Sequence, residues 1–226
     1  MGGSKMGIWK STVQRAMYRL AEKRGFSEPL SPTPAYGIRS GYRHRPDNAF
    51  FDDTPLKDEW QKEIYQEAAR IAAEIEAAAV ADVGCGSGYK LVKNFPSTRT
   101  IGFDLEPTLS FLRRTYPDRE WRESRFGKDV EPVDLVICSD VIEHIPDPDE
   151  LMDHLLSLTG KRLVLSTPER VAVYGWDHSG PPGNPAHCRE WTADELQDYV
   201  SGWFRIDEAR ITNRRQGTQM LVCSHK

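Results

Sequence analysis

The 226-residue sequence is poor in three features, and each absence excludes a class of protein. Its four cysteines, Cys85, Cys138, Cys188 and Cys223, form no Cys-x-x-Cys pair, which argues against a disulfide framework and indicates a reduced, cytoplasmic protein. The longest uncharged apolar run, around residues 77–81, is far shorter than the ~18 residues that a membrane span needs. A net charge of −4 provides no general basic surface for nucleic acid.

Charge is divided unevenly along the chain. Residues 1–50 carry nine basic and three acidic side chains, a net charge of +6, whereas the remaining 176 residues carry −10. Apolar residues at helical spacing between residues 8 and 24 predict an amphipathic helix with a basic face. We expect this helix to pack on the domain or on a second copy in a homodimer, with peripheral contact to an anionic membrane surface as the alternative.

Residues 25–53 predict an irregular segment, because four prolines and several glycines interrupt any periodicity. Aromatic and arginine side chains are dense there, which is typical of a lid over a site or a strap across a core. We therefore divide the chain into a basic N-terminal segment, 1–53, and a domain, 54–226. Thr54 and Pro55 favour an N-cap and a first turn, so they predict a helix that runs to about residue 77.

Beyond residue 78, short apolar strands alternate with helical segments. This alternation predicts an α/β fold, a Rossmann-like doubly wound sheet of about seven strands with helices on both faces. A short turn joins the last two strands, so we expect the final strand to run antiparallel to the sheet. The predicted strands are residues 80–83, 100–103, 120–123, 133–138, 162–167, 203–211 and 218–223.

The pattern Asp82-x-Gly84-x-Gly86-x-Gly88 lies between the first strand and the helix after it. Glycines permit a tight turn and let a ligand approach the backbone closely. Asp104, at the end of the next strand, can accept hydrogen bonds from both hydroxyls of a ribose. The sequence thus predicts a site for an adenosine-type ligand across the carboxyl ends of two strands. The third glycine comes one residue earlier than in the dinucleotide fingerprint, which argues against an NAD-dependent oxidoreductase.

These motifs, together with residues 136–145 and 187–192, resemble the class I S-adenosylmethionine-dependent methyltransferases over about residues 55–226. The resemblance implies that S-adenosylmethionine is the cofactor. At Glu123 the sequence departs from the aspartate usual in the family. The cofactor contacts that the resemblance implies are Asp82, Gly84, Cys85, Gly86 and Gly88 at the methionine end, Asp104 at the ribose, Leu105 and Glu123 at the adenine, and Ser139 and Asp140 beside the sulfonium.

Two histidines are candidates for catalysis. Methyl transfer from a sulfonium mainly requires a positioned nucleophile, and a base when that nucleophile is a hydroxyl. His144 and His187 could supply the base, because histidine titrates near neutral pH. Asp140, Glu143, His144 and His187 could instead hold Mg²⁺, Mn²⁺ or Zn²⁺. The same short string also occurs in members of the family without a metal, so we favour a metal-free site.

The turn-rich segment between residues 166 and 191 predicts the acceptor site. Glu143, Tyr174, Trp176 and Arg189 offer aromatic faces and hydrogen-bonding groups, which suit a small-molecule acceptor such as a sugar or glycan precursor. One alternative is an RNA or other nucleic-acid methyltransferase that uses the basic N-terminal segment, against which the overall acidity argues. Another is a non-catalytic cofactor-binding subunit that docks on a partner through the amphipathic helix.

Overall fold

The structure is a computed structural model. It describes residues 36–46, 52, 54–55, 60–127 and 130–226. The amphipathic helix predicted between residues 8 and 24 lies outside the described residues. Within them, no helix combines the length and the apolar character that a membrane span requires.

The described part of the chain contains seven strands, six α-helices and a short 3₁₀ turn at Ile142–His144. The strands are β1 (Ala79–Val83), β2 (Arg99–Asp104), β3 (Glu120–Glu123), β4 (Val133–Ser139), β5 (Thr159–Pro168), β6 (Phe204–Asn213) and β7 (Thr218–His225). The helices are α1 (Lys62–Glu74), α2 (Tyr89–Asn94), α3 (Thr108–Thr115), α4 (Pro148–Leu158), α5 (Arg170–Tyr174) and α6 (Ala193–Val200).

The strands form one sheet in the order β3-β2-β1-β4-β5-β7-β6. β1 to β5 pair in parallel, and β7 runs antiparallel between β5 and β6. This topology confirms the predicted α/β sheet with an antiparallel final strand. The ends of β1, β2, β4 and β5 therefore meet at one border of the sheet, hereafter the carboxyl edge, where open α/β sheets bind their ligands.

Both faces of the sheet are covered, as the sequence predicted. Successive side chains of a strand point to opposite faces. In β4, Val136 and Cys138 pack with the layer that contains α4 and α6, whereas Leu135 and Ile137 pack with the layer that contains α1, α2 and α3. All four side chains are fully buried, so the sheet separates two hydrophobic cores.

The first described helix begins later than the sequence predicted. α1 begins at Lys62, after Gln61 in a left-handed conformation with a φ of 60°. Thr54 donates from its backbone N–H and its hydroxyl to Asp52 Oδ1, at 3.0 and 2.7 Å. This local side-chain bond stabilises a turn in competition with a helix start.

Residues 36–46, hereafter the strap, cross one face of the domain. Ile38 and Tyr42 are buried and join the core beside α4 and α6. Trp191 donates from Nε1 to the carbonyl of Tyr36 at 2.8 Å. The described part of this segment therefore packs on the core, and a role as a lid stays a prediction.

Three arginines of the strap, Arg39, Arg43 and Arg45, bind the backbone of residues 175–191, hereafter the long loop. Most of the long loop lies outside helices and strands, so its carbonyl groups need other donors. The accepting carbonyls, at 2.6–3.3 Å, are those of Trp176 and His178 for Arg39, Gly180 for Arg43, and Pro182, Asn184 and His187 for Arg45.

Glu195 connects the strap to the first turn of α6. Its carboxylate accepts from the backbone N–H of Thr192 and Arg39 at 3.0 and 3.1 Å, and from Arg170 Nη2 at 2.8 Å. Thr192 and Glu195 form the capping box that the sequence predicted. Burial raises the pKa of Glu195, but the hydrogen bonds from Arg170 and the two backbone groups outweigh burial and leave the pKa below its usual value.

We expect Glu195→Gln to lower the free energy of unfolding by roughly 1–3 kcal/mol at neutral pH, because it removes charge-assisted hydrogen bonds. A depressed folded-state pKa means that the carboxylate stabilises the fold above its unfolded pKa, and that this contribution disappears as pH falls through the folded pKa. Urea unfolding should therefore show a steeper loss of stability for the wild type than for Glu195→Gln between about pH 5 and pH 3. Parallel declines in the two proteins would contradict this role.

Candidate active site

The glycine-rich turn lies at the carboxyl edge, between β1 and α2. Gly84, Gly86 and Gly88 have φ values of 74°, 52° and 67°, in the left-handed region that strains other residues. A Cβ on Gly84 would lie 2.4 Å from Val141 Cγ2, and one on Gly88 would lie 2.6 Å from Leu112 Cδ2. The turn is therefore restricted to glycine at both positions, because side chains of the protein pack closely against it.

Asp104, the last residue of β2, lies against this turn. Its Oδ2 accepts from the N–H of Gly86 and its Oδ1 from the N–H of Leu105, both at 2.8 Å. Burial raises the pKa of Asp104, and these two backbone donors oppose the shift. Each carboxylate oxygen has a second lone pair, so Asp104 can also accept hydrogen bonds from two ribose hydroxyls.

The predicted adenine contacts follow on the same side. Leu105 is 49% exposed and leaves an apolar surface beside Asp104. Glu123, the last residue of β3, pairs in register with Asp104, and its carboxylate lies 2.6 Å from Arg125 Nη2. Both residues lie near the position that an adenine ring would take next to a ribose bound by Asp104. Their contacts with the adenine stay predictions.

At the methionine end, two predicted residues are buried. Asp82, on β1, accepts from the hydroxyl of Tyr65 at 2.8 Å. Cys85 lies inside the glycine-rich turn with its thiol buried. Direct contact of Asp82 and Cys85 with a cofactor stays a prediction. The hydrogen bond of Asp82 and the burial of Cys85 stabilise the glycine-rich turn from inside the protein.

Asp140 follows β4 and has a φ of 55°. Its Oδ1 accepts from Ser166 Oγ at 2.9 Å and its Oδ2 from Gln61 Nε2 at 3.0 Å. Ser139 Oγ lies 2.8 Å from the same Ser166 hydroxyl. Burial raises the pKa of Asp140, and the two side-chain donors oppose that shift. Groups from β4, β5 and the start of α1 thus fix one carboxylate at the carboxyl edge.

Next to Asp140, the 3₁₀ turn and the long loop bring together Glu143, His144 and His187. One oxygen or nitrogen atom from each of the three lies within 4.8 Å of the others. Burial, together with the nearby carboxylate of Asp140, raises the pKa of Glu143 well above its usual value. Burial and the neighbouring His187 lower the pKa of His144 to about 4. The two predicted bases are therefore neighbours in a buried polar cluster.

Sequence reasoning missed two residues of this region. Glu190 is buried, and its Oε1 lies 2.5 Å from Nδ1 of His187. The spacing His-x-x-Glu was a usable signal, because residues three apart meet in a single turn. Gln61 had no such signal, since its contact with Asp140 depends on the left-handed backbone before α1.

The predicted acceptor contacts have different surroundings. Trp176 is 76% exposed, and the hydroxyl of Tyr174 accepts from the N–H of Gly183 at 2.9 Å. Arg189 is 1% exposed, and its side chain donates to the carbonyls of Ile145 and Pro146 at 2.7 and 2.6 Å. These bonds tie the long loop to the turn after β4, and a contact of Arg189 with an acceptor stays a prediction.

Comparisons with known proteins agree with this arrangement. A family model described as a methyltransferase domain matches residues 56–202. A probable S-adenosylmethionine-dependent methyltransferase of Mycobacterium tuberculosis is 30% identical over 196 residues, which are 82% of this chain and 68% of that protein. Trans-aconitate 2-methyltransferase of Escherichia coli is 30% identical over 125 residues, which are 48% of this chain and 50% of that enzyme.

A solved structure shows the same fold. Magnesium protoporphyrin IX methyltransferase from Synechocystis, with bound SAH, superposes with a TM-score of 0.54 at 18% identity, over 74% of this chain and 87% of that chain. The sheet order, the glycine-rich turn and the matched family model point the same way. The chain belongs to the class I S-adenosylmethionine-dependent methyltransferases.

Proposed function

We propose that the chain transfers a methyl group from S-adenosylmethionine to an oxygen or nitrogen atom of a small molecule, with a hydroxyl of a sugar-like polyol as the favoured acceptor. The observation that carries the proposal is the cluster of the buried Glu143 and His187 with the half-buried His144, beside Asp140. Similarity to enzymes named for trans-aconitate and for magnesium protoporphyrin IX supports an acceptor of small-molecule size.

The residues at the carboxyl edge fit the cofactor. S-adenosylmethionine supplies a methyl group on a positively charged sulfur, which needs no further activation. The backbone of Gly84 and Gly88 suits the methionine part of the cofactor, which would lie along the main chain. The carboxylate of Asp104 suits the ribose, and the exposed Leu105 suits the flat adenine ring. The fixed carboxylate of Asp140 favours a positive charge at the neighbouring position.

The polar cluster then acts on the acceptor. An acceptor hydroxyl needs hydrogen-bond acceptors that orient its oxygen and take up its proton. His144 is uncharged near neutral pH, because its pKa lies at about 4, so its ring can accept a hydrogen bond. The long loop covers this side of the sheet, and a covered site keeps water from competing with the acceptor.

One observation bears on a nucleic-acid acceptor. Arg39, Arg43 and Arg45 all belong to the basic N-terminal segment, and each donates to backbone carbonyls of the long loop. Three of the nine basic side chains in residues 1–50 are thus already engaged within the domain. This engagement weakens the case for that segment as a surface for phosphates.

An acceptor screen tests the proposal. We expect the purified full chain to bind S-adenosylhomocysteine in calorimetry and to methylate a hydroxyl-bearing small molecule from a panel of sugars, nucleotide sugars, phenols, amines and short RNAs. Asp140→Asn should keep the fold and lose most of the turnover. Transfer to RNA alone would contradict the small-molecule acceptor. If the chain alone binds S-adenosylhomocysteine but transfers no methyl group, and activity appears only when a partner is added, the result would favour a non-catalytic cofactor-binding subunit.

A further inference from the structure

A buried lysine lies at the methionine end of the cofactor site. Lys90 belongs to the first turn of α2, two residues after Gly88, and its side chain is 5% exposed. It is the only buried lysine among the residues that the structure describes. Because removing an ammonium group from water is costly, a lysine is rarely buried unless negative groups lie close to it. Its burial beside the glycine-rich turn thus calls for such groups on this side of the site.

The ammonium group of Lys90 lies near two carboxylates. Side chains of a helix lean toward its N-terminus, which for α2 is the glycine-rich turn. Lys90 Nζ lies 5.6 Å from the ring centroid of Tyr65, and the hydroxyl of that ring donates to Asp82 Oδ2 at 2.8 Å. Burial raises the pKa of Asp140, and the charge of Lys90 is among the groups that oppose this shift. Lys90 therefore places a positive charge near both Asp82 and Asp140.

The charges of this region complement those of the methionine part of the cofactor. That part carries two positive groups, an ammonium and a sulfonium, and one negative group, a carboxylate. Asp82 and Asp140 offer negative charge to the positive groups, whereas the carboxylate requires a cation or N–H donors. Two other buried cations of the described residues, Arg170 and Arg189, donate to carbonyls of the long loop and of the turn after β4. Lys90 is the buried cation beside the glycine-rich turn.

We propose that Lys90 binds the carboxylate of the methionine part of S-adenosylmethionine and makes the site selective for cofactors that keep this carboxylate. A lysine suits this role, because a long side chain brings three donors and a full charge to a compact anion. A decarboxylated cofactor would bring only positive groups to the buried ammonium, so that repulsion adds to the missing contact. This role does not depend on which acceptor the chain methylates.

Isothermal titration calorimetry with two ligands tests the role of Lys90 on the full chain. S-adenosylhomocysteine carries the carboxylate, and its aminopropyl analogue lacks only this group. We expect the wild type to prefer S-adenosylhomocysteine by about 10–100-fold, the range for a hydrogen bond to a charged group. Lys90→Met keeps an apolar side chain of similar length, and it should weaken S-adenosylhomocysteine by the same factor. Binding of the analogue should stay unchanged or become tighter, so the preference should disappear.

Lys93→Met is the matched control. Lys93 lies on the same helix, is exposed, and has its Nζ 5.6 Å from the ring centroid of Tyr89, the same distance as between Lys90 and Tyr65. This variant should bind both ligands as the wild type does. Lys90→Arg retains the positive charge and should keep part of the preference for the carboxylate.

Thermal unfolding checks that each variant is folded. A folded Lys90→Met with the wild-type preference would overturn the proposed contact, and so would equal weakening of both ligands, which indicates support of the turn alone. A wild type that binds the two ligands equally would overturn the contact without any variant. All of these measurements concern binding, so a failure to find a methylated small molecule would count against the proposed function and not against Lys90.

Discussion

Trp191→Ala is expected to lower the free energy of unfolding by about 3–5 kcal/mol, the range for removing a fully buried aromatic ring. Trp191 is 0% exposed and stacks against Tyr199, with ring centroids 5.9 Å apart. Its Nε1 also donates to the carbonyl of Tyr36. The substitution would therefore open a cavity and detach the strap in a single step. Urea unfolding measures the change.

Trp191→Phe is the matched control. It keeps most of the apolar volume but leaves the carbonyl of Tyr36 without its donor, so we expect a loss of roughly 1–3 kcal/mol. Limited proteolysis within residues 36–46 should accelerate more in Trp191→Ala than in Trp191→Phe. A loss below about 1 kcal/mol in Trp191→Ala would show that the ring does not anchor the strap, because such a value is typical of surface positions.

Asp104→Ala is expected to weaken the binding of S-adenosylhomocysteine by about 100-fold or more. Two hydrogen bonds from ribose hydroxyls to a carboxylate are together worth about 3 kcal/mol, and each 1.4 kcal/mol is a factor of ten in affinity. The substitution also removes the acceptor of the Gly86 N–H, which loosens the glycine-rich turn. Isothermal titration calorimetry measures the affinity directly.

Two variants distinguish the loss of the ribose contact from general effects of a substitution on the protein. Asp104→Asn keeps one oxygen and the shape of the side chain, so we expect an intermediate loss of about 10-fold. Asp118→Ala removes an exposed carboxylate just before β3, at the border of the sheet away from the turn, and should bind as the wild type does. Wild-type affinity in a folded Asp104→Ala would remove Asp104 from the ribose site.

The sheet could be predicted closely because its information is local. The apolar run of β4 and the glycines after β1 determine strand, turn and carboxyl edge without distant contacts. Each of the seven predicted strands lies within three residues of the observed bounds. Asp104 could be placed for the same reason, since it is simply the end of β2.

The path of the strap and the surroundings of Arg189 and Asp140 could not be predicted, because they depend on contacts between distant parts of the chain. The strap is held by hydrogen bonds from Arg39 and Arg45 to residues more than 130 positions away. The charge of Arg189 is visible in the sequence, whereas the two carbonyls that accept its hydrogen bonds are not. The hydrogen bond from Gln61 to Asp140 likewise connects residues that no local pattern relates.

The arginines of the strap have a consequence for how acceptor specificity can change. They bind carbonyl oxygens of the long loop, and every amino acid carries the same carbonyl. An exposed side chain of the loop such as Trp176 can therefore be exchanged without removing the hydrogen bonds that the strap makes to the loop. The strap and the loop together form a scaffold with a replaceable surface, on which new acceptor preferences can be selected while the backbone keeps its shape.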